Sequence, residues 1–208
     1  MVAFGLTPAS LEAAPDSLNT EVLARLGFKA EVGQIQVLPS GDRLVAAVGL
    51  GDEDQVDLQS LRKASAALAR AVRRQRSVAT DLVAVSGLEA SEASRAVVEA
   101  MALSLYRFGY KSKATRTKGD DNLSRVILVG SVASAVRLAL NEASAIVDGV
   151  ALARDLVNEP GGTLTPPVFA RKVSRMARDK GLNVKVMDEA AIKRAGLGGL
   201  LGVNRGST

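Results

Sequence analysis

Residues Ala151 to Pro166 read Ala-Leu-Ala-Arg-Asp-Leu-Val-Asn-Glu-Pro-Gly-Gly-Thr-Leu-Thr-Pro, and this stretch limits what the remainder can build. It is the last turn of a long helix, a stop at Pro160-Gly161-Gly162, and a restart at Thr165-Pro166. Proline cannot continue a helix, and glycine carries no conformational preference that would extend one. A threonine cap followed by proline in the first turn opens a new helix. At 208 residues the chain has room for one domain before this joint and part of a second after it.

Upstream, strand and helix patterns alternate. Val2–Leu6 reads as a short apolar edge strand, Thr7–Pro15 as loop, and Asp16 or Ser17 as the cap of a helix running to about Leu26. Gln34–Leu38 and Arg43–Leu50 read as a hairpin around Pro39-Ser40-Gly41-Asp42, the second strand being apolar on both faces and so central. Asp57–Arg76 carries Leu58, Leu61, Ala64 or Ser65, Leu68 and Val72 at helical spacing. Asp81–Val85 reads as a strand, Ser91 to about Phe108 as a helix, and Gly109–Asn122 as a lysine-rich loop. Ser124–Gly130 is the next strand. A helix then starts at Ser131 or Ser134 and reaches Asn158, with Val136, Leu140, Ala143, Val147, Val150 and Val157 on its buried side. This alternation predicts an α/β fold with helices on both faces of one sheet. Aromatic residues are only 3%, so Ala, Val and Leu must make the core.

Downstream the pattern is thinner. A helix is expected from Pro166 to Lys180, a strand at Asn183–Met187, and a short helix Glu189–Ala195 capped by Asp188. The glycine-rich tail Gly196–Gly206 reads either as an anion cradle or as a loop under another element. One strand cannot form a sheet by itself.

The chain holds no cysteine and no histidine, which excludes disulfides, thiolate chemistry, His- or Cys-based zinc sites and the commonest general base. Val48-Gly49-Leu50-Gly51 follows a strand, but the third glycine of a dinucleotide loop would fall at Asp54, so a turn is the better reading. Asp52, Glu53, Asp54 and Asp57, or Asp120 and Asp121, could in principle hold magnesium or manganese, but a solvated loop explains them better. A basic cluster, Arg107, Lys111, Lys113, Arg116 and Lys118, is interleaved with Tyr106, Phe108 and Tyr110. It could track a nucleic-acid backbone. The better reading is that the lysines solvate a loop while Tyr106 and Phe108 close a helix end, because a charge run is usually a solvated face. The net charge of +5 is small for a dedicated nucleic-acid binder. Neither a secretory signal nor a membrane span is visible, so a cytoplasmic location is expected.

The joint Ala153-Arg154-Asp155-Leu156-Val157-Asn158-Glu159-Pro160, with Leu164-Thr165-Pro166, resembles the segment entering the catalytic domain of leucyl aminopeptidases. Leu105-Tyr106-Arg107-Phe108 with Tyr110-Lys111-Ser112, Val184-Lys185-Val186 with Asp188-Glu189, and Gly196–Val203 with Gly206-Ser207 are similar to further stretches of that family, in the same order. The resemblance implies a macro-domain-like mixed sheet in residues 1–150, whose last helix continues to about 158. Residues 159–208 would be a linker and the incomplete start of an α/β catalytic domain. It also implies a hexameric, two-metal peptidase using zinc or manganese. The family's metal ligands lie in Gly-Lys-Gly-x-Thr-x-Asp-x-Gly-Gly and Asn-Thr-Asp-Ala-Glu-Gly-Arg stretches, neither of which occurs here. No catalytic or metal-binding residue is therefore carried over. The chain alone is expected to be inactive, with an architectural role in assembly, in orienting subunits or in limiting access to the active site. Gly161-Gly162 depart from the second proline and Asn-like residue usual at this point. The alternative is a stand-alone macro-like module for DNA or a nucleotide, with Lys111, Lys113, Arg116 and Lys118 as its contacts.

Overall fold

The computed structural model describes residues 1–109, 123–130 and 133–206. It divides into two compact units, Met1–Asp155 and Leu156–Thr208. In the first, strands β1 (Val2–Leu6), β2 (Ile35–Ser40), β3 (Arg43–Gly49), β4 (Ser77–Thr80) and β5 (Arg125–Leu128) form a five-stranded sheet in the order β2-β3-β1-β4-β5. β1 is parallel to β3 and β4, β4 is parallel to β5, and β2 is antiparallel to β3. Helices α1 (Thr20–Arg25), α2 (Leu58–Ala71), α3 (Leu82–Val85), α4 (Ala90–Ser104) and α5 (Ser134–Asn158) complete it.

The two-residue period of β3 sorts the core. Ala46 and Val48 face Leu61, Ala64 and Leu68 of α2 and Ala93, Ala96 and Val97 of α4. Val45 and Ala47 face the other way, onto Leu18, Leu23 and Phe28 around α1. The sheet thus carries helices on both faces, as the alternation predicts. Alanines stand where α2 and α4 meet the sheet, so a core poor in aromatic rings still fills its space.

Several elements differ from the sequence reading. β1 is central, not an edge, flanked by β3 and β4. Its run is apolar throughout, which suits a strand covered on both faces. The hairpin turn narrows to Gly41-Asp42, because Pro39 and Ser40 pair with Leu44 and Arg43. Gly41 supplies the positive φ of 60°. α1 starts at Thr20, after Asn19 accepts the Val22 N–H at 3.0 Å. α2 ends at Ala71 because the carbonyls of Arg73 and Arg76 accept the N–H groups of Leu123 and Ser124 at the entry to β5. At its start Asp57 and Ser60 form a reciprocal capping box. α4 is capped by Glu89, not Ser91, and ends at Ser104. Along α5, Val136 and Ala143 are buried and Leu140, Val147 and Val150 half-buried, but Val157 is 84% exposed.

The largest shift concerns Asp81–Val85, expected as a strand. The strand is Ser77–Thr80, and Leu82–Val85 is a single helical turn. The Asp81 carboxylate accepts the Gly5 N–H of β1 at 2.7 Å, and the Val85 N–H bonds to Asp81 O at 3.0 Å. These bonds end β4 and turn the chain. A four-residue apolar run carries too little periodicity to separate strand from helix.

Burial holds the half-buried Asp81 carboxyl above its ordinary range, and the Gly5 N–H opposes this in part. A raised native value means that the folded state keeps a proton which the unfolded state releases. Its stabilising contribution is complete below the unfolded value, about 3.9, and is lost as pH rises through the folded one. Asp81→Asn retains an acceptor for Gly5 and removes that loss. The variant should melt above the wild type at pH 7, the gap closing toward pH 3. A gap independent of pH in thermal melts would contradict this.

The second unit contains α6 (Pro166–Asp179), α7 (Glu189–Arg194), α8 (Gly198–Val203) and a 3-10 turn at Asn204–Gly206. Thr165 occupies the cap of α6, and Asp188 caps α7 by accepting the Ala191 N–H at 2.7 Å. Two expectations fail here. Asn183–Met187 is not a strand, and Val184 and Val186 are exposed. A strand is defined by its ladder, and no described neighbour provides one. The glycine-rich tail is not a plain loop, since Gly198–Val203 forms the short helix α8. Among the described residues no helix is long and apolar enough to cross a membrane.

Candidate functional site

α4 ends at Ser104, where Ala102 O accepts from Leu105 N at 3.2 Å and Leu103 O accepts from Tyr106 N at 3.4 Å. Arg154, near the end of α5, donates from Nη1 to Leu103 O at 2.9 Å. A cation at a helix C-terminus is favoured by the helix dipole. The same guanidinium lies 5.3 Å from the Tyr106 ring centroid. Tyr106 OH donates to Asp155 Oδ1 at 2.7 Å. Consecutive residues Arg154 and Asp155 therefore clasp one tyrosine and tie the end of α5 to the end of α4. Two of the stretches that carry the family resemblance meet here across 49 positions. No local spacing announces this pairing; the sequence points to Tyr106 as a helix-closing residue, as an aromatic within the basic cluster and as part of a family-like stretch. Tyr106→Phe should cost about 0.5–1.5 kcal/mol in denaturant unfolding, through loss of the Asp155 bond with the ring retained.

Beyond α5, the Glu159 side chain is only 9% exposed and pairs with Lys172 of α6. Pro160 O accepts from Thr163 N, Leu164 N and Thr163 Oγ1, each at 2.9 Å. The turn containing Gly161 and Gly162 is thus closed by hydrogen bonds. An added Cβ at either glycine would meet nothing within 4 Å among the described residues, so close packing does not require glycine there.

The other candidates separate. Among the described residues no three Asp, Glu, His or Cys side chains converge to hold a metal. Asp57 is engaged as the α2 cap, its carboxyl held below the usual range by the Ser60 N–H and hydroxyl. Asp52 and Glu53 border a 3-10 turn, Glu53–Gln55. Asp120, Asp121, Lys111, Lys113, Arg116 and Lys118 lie outside the described residues. Among the described residues the carboxylates do not gather into a two-metal donor set. Val48-Gly49-Leu50-Gly51 is packed against the chain at Ala30–Val32, which makes it a close backbone crossing.

Comparison with known proteins agrees with this placement. The model of the cytosol aminopeptidase family's N-terminal domain matches residues 5–114, and that of its catalytic domain matches residues 151–208. A probable cytosol aminopeptidase of Rhodococcus jostii is 36% identical over 196 residues, covering 90% of this chain and 37% of that protein. The solved bottromycin maturation enzyme BotP is 37% identical with a TM-score of 0.81, covering 100% of this chain and 43% of that one. It has also been solved in complex with Mn. A mutant of tomato leucine aminopeptidase shares the fold, with a TM-score of 0.73 at 21% identity over 93% of this chain and 42% of that one.

The first unit is thus a mixed α/β domain, and the residues after the joint match the family's catalytic-domain model. The chain belongs to the cytosol aminopeptidase family and corresponds to the N-terminal part of such a protein. It spans about two fifths of the length of the relatives it matches. None of these relatives supports the DNA- or nucleotide-binding alternative.

Proposed function

We propose that these residues are the N-terminal domain and catalytic-domain entry of an enzyme that removes N-terminal residues from peptides. Residues 1–150 form the macro-like domain, whose last helix continues to about 158. Residues 159–208 begin the catalytic domain. The two divalent ions, zinc or manganese, and the groups that hold them lie outside these residues. The ions would activate water and polarise the peptide carbonyl. The role of this chain is architectural: the Tyr106–Arg154–Asp155 clasp fixes the end of α5, from which the catalytic domain is entered. A cytoplasmic hexamer is the assembly this reading carries with it.

The observation that carries the reading is the order of the two family matches along one chain, N-terminal domain at 5–114 and catalytic domain at 151–208. To test it, the 208-residue chain is joined to the remaining catalytic portion of the Rhodococcus jostii relative. With manganese this fusion should hydrolyse leucine p-nitroanilide and lose activity to a chelator, while the 208-residue chain alone releases no product. Turnover by the chain alone would place catalytic groups within it. A folded fusion inactive on leucyl, alanyl and methionyl anilides would refute the aminopeptidase reading.

A further inference from the structure

The crossovers of the sheet part company at β1. After β1 the chain passes to the face covered by α1, whereas after β3 it passes through α2 on the opposite face and returns as β4 on the far side of β1. Divergence of this kind opens a crevice beyond the carboxyl ends of parallel strands. Such a crevice is present, with a volume of about 410 Å3, within the range of small-molecule sites. Phe4, Leu6, Leu50 and Val85 give it apolar walls, and its charged residues are Glu53 and Asp81. An acidic lining stands out on a chain of net charge +5.

The polar groups of the crevice are unequally committed. Ser10 Oγ accepts from Thr7 N and donates to Thr7 O, and Thr7 Oγ1 accepts from Ser10 N. The Asp81 carboxylate accepts from Gly5 N through Oδ1 and is also held by its own backbone N–H, and no other described residue donates to it. Burial, with no counter-charge on it among the described residues, also makes the ionised carboxyl unfavourable. A donor arriving from outside would complete this site.

We infer that the crevice over β1, β3 and β4 binds a small aliphatic amine, its ammonium on the Asp81 carboxylate and its hydrocarbon against Phe4 and Val85. A charge-assisted hydrogen bond in a half-buried setting orients the amine. Glu53 adds a second negative charge beside the amine. This site needs no part of the peptidase chemistry and does not depend on that reading.

The test uses the isotope-labelled 208-residue chain at pH 7, titrated with 3-methylbutylamine and with its neutral counterpart 3-methylbutanol. The amine should shift the backbone amide signals of Gly5, Thr7 and Val85 saturably, and the alcohol should bind about tenfold or more weaker. Asp81→Asn, which keeps the Gly5 contact, should weaken the amine by a similar factor. Ala9→Phe, at an exposed position on the lining, should block binding without touching Asp81. Absence of saturable shifts at these amides, equal binding of amine and alcohol, or unchanged affinity in both variants would overturn the assignment.

Discussion

Gly49→Ala should unfold the N-terminal unit more readily than any other single methyl addition considered for this chain. A Cβ at Gly49 would stand 2.1 Å from Glu31 O and 2.6 Å from Ala30 C, both backbone atoms. Those atoms cannot rotate away. The crossing is pinned by Gly33 N to Gly49 O at 2.9 Å, Gly49 N to Gln34 O at 2.9 Å and Gly51 N to Ala30 O at 2.8 Å. Ala30 itself holds a φ of 58°, so this segment has little room to adjust. Overpacking typically costs about 1–3 kcal/mol, and a fixed-backbone clash belongs at the upper end. A loss of about 3 kcal/mol corresponds to a fall of roughly 6–12 °C in Tm for a chain of this size. Gly149→Ala is the contrasting substitution. It lies within α5 with nothing inside 4 Å, so better helix propensity should stabilise by up to about 1 kcal/mol. If both variants melt like the wild type, the close crossing is wrong.

Leu68→Ala is the second large effect. Leu68 is fully buried in the last turn of α2, in the cluster with Val48 and Leu61. Removing its three outer carbons forfeits burial and leaves a cavity whose walls are helices and sheet. The cost is about 2–5 kcal/mol, readable as a shift of the urea midpoint at unchanged slope. Leu68→Met, which conserves volume, should lose less than about 1.5 kcal/mol. If Leu68→Ala costs no more than the methionine variant, α2 does not pack on the sheet as described.

How far the residues disclosed these features depended on how local each one was. α2 was legible because Leu58, Leu61 and Leu68 recur along fourteen helical residues and Asp57 caps them. α6 and α7 were legible through Thr165-Pro166 and Asp188 for the same reason. Val2–Leu6 was recognisable as a strand, but its central place was not, because sheet order is a relation between distant segments. Asp81–Val85 misled because its turn depends on the N–H of Gly5, 76 positions away. Asn183–Met187 has strand-like residues, but a ladder requires a partner.

The candidate site divides in the same way. The stop and restart at Pro160–Pro166 were visible, since proline, glycine and a threonine cap act on their own neighbours. The clasp of Tyr106 by Arg154 and Asp155, and the crevice around Asp81, were not visible. Their components come from the ends of separate strands and helices. Residue chemistry alone established an α/β chain without histidine or thiol catalysis, interrupted by a proline joint. The central position of β1, the backbone crossing that requires Gly49 and the acid-lined crevice arose only on folding, because close approach in space is set by packing across the sheet and not by separation along the chain.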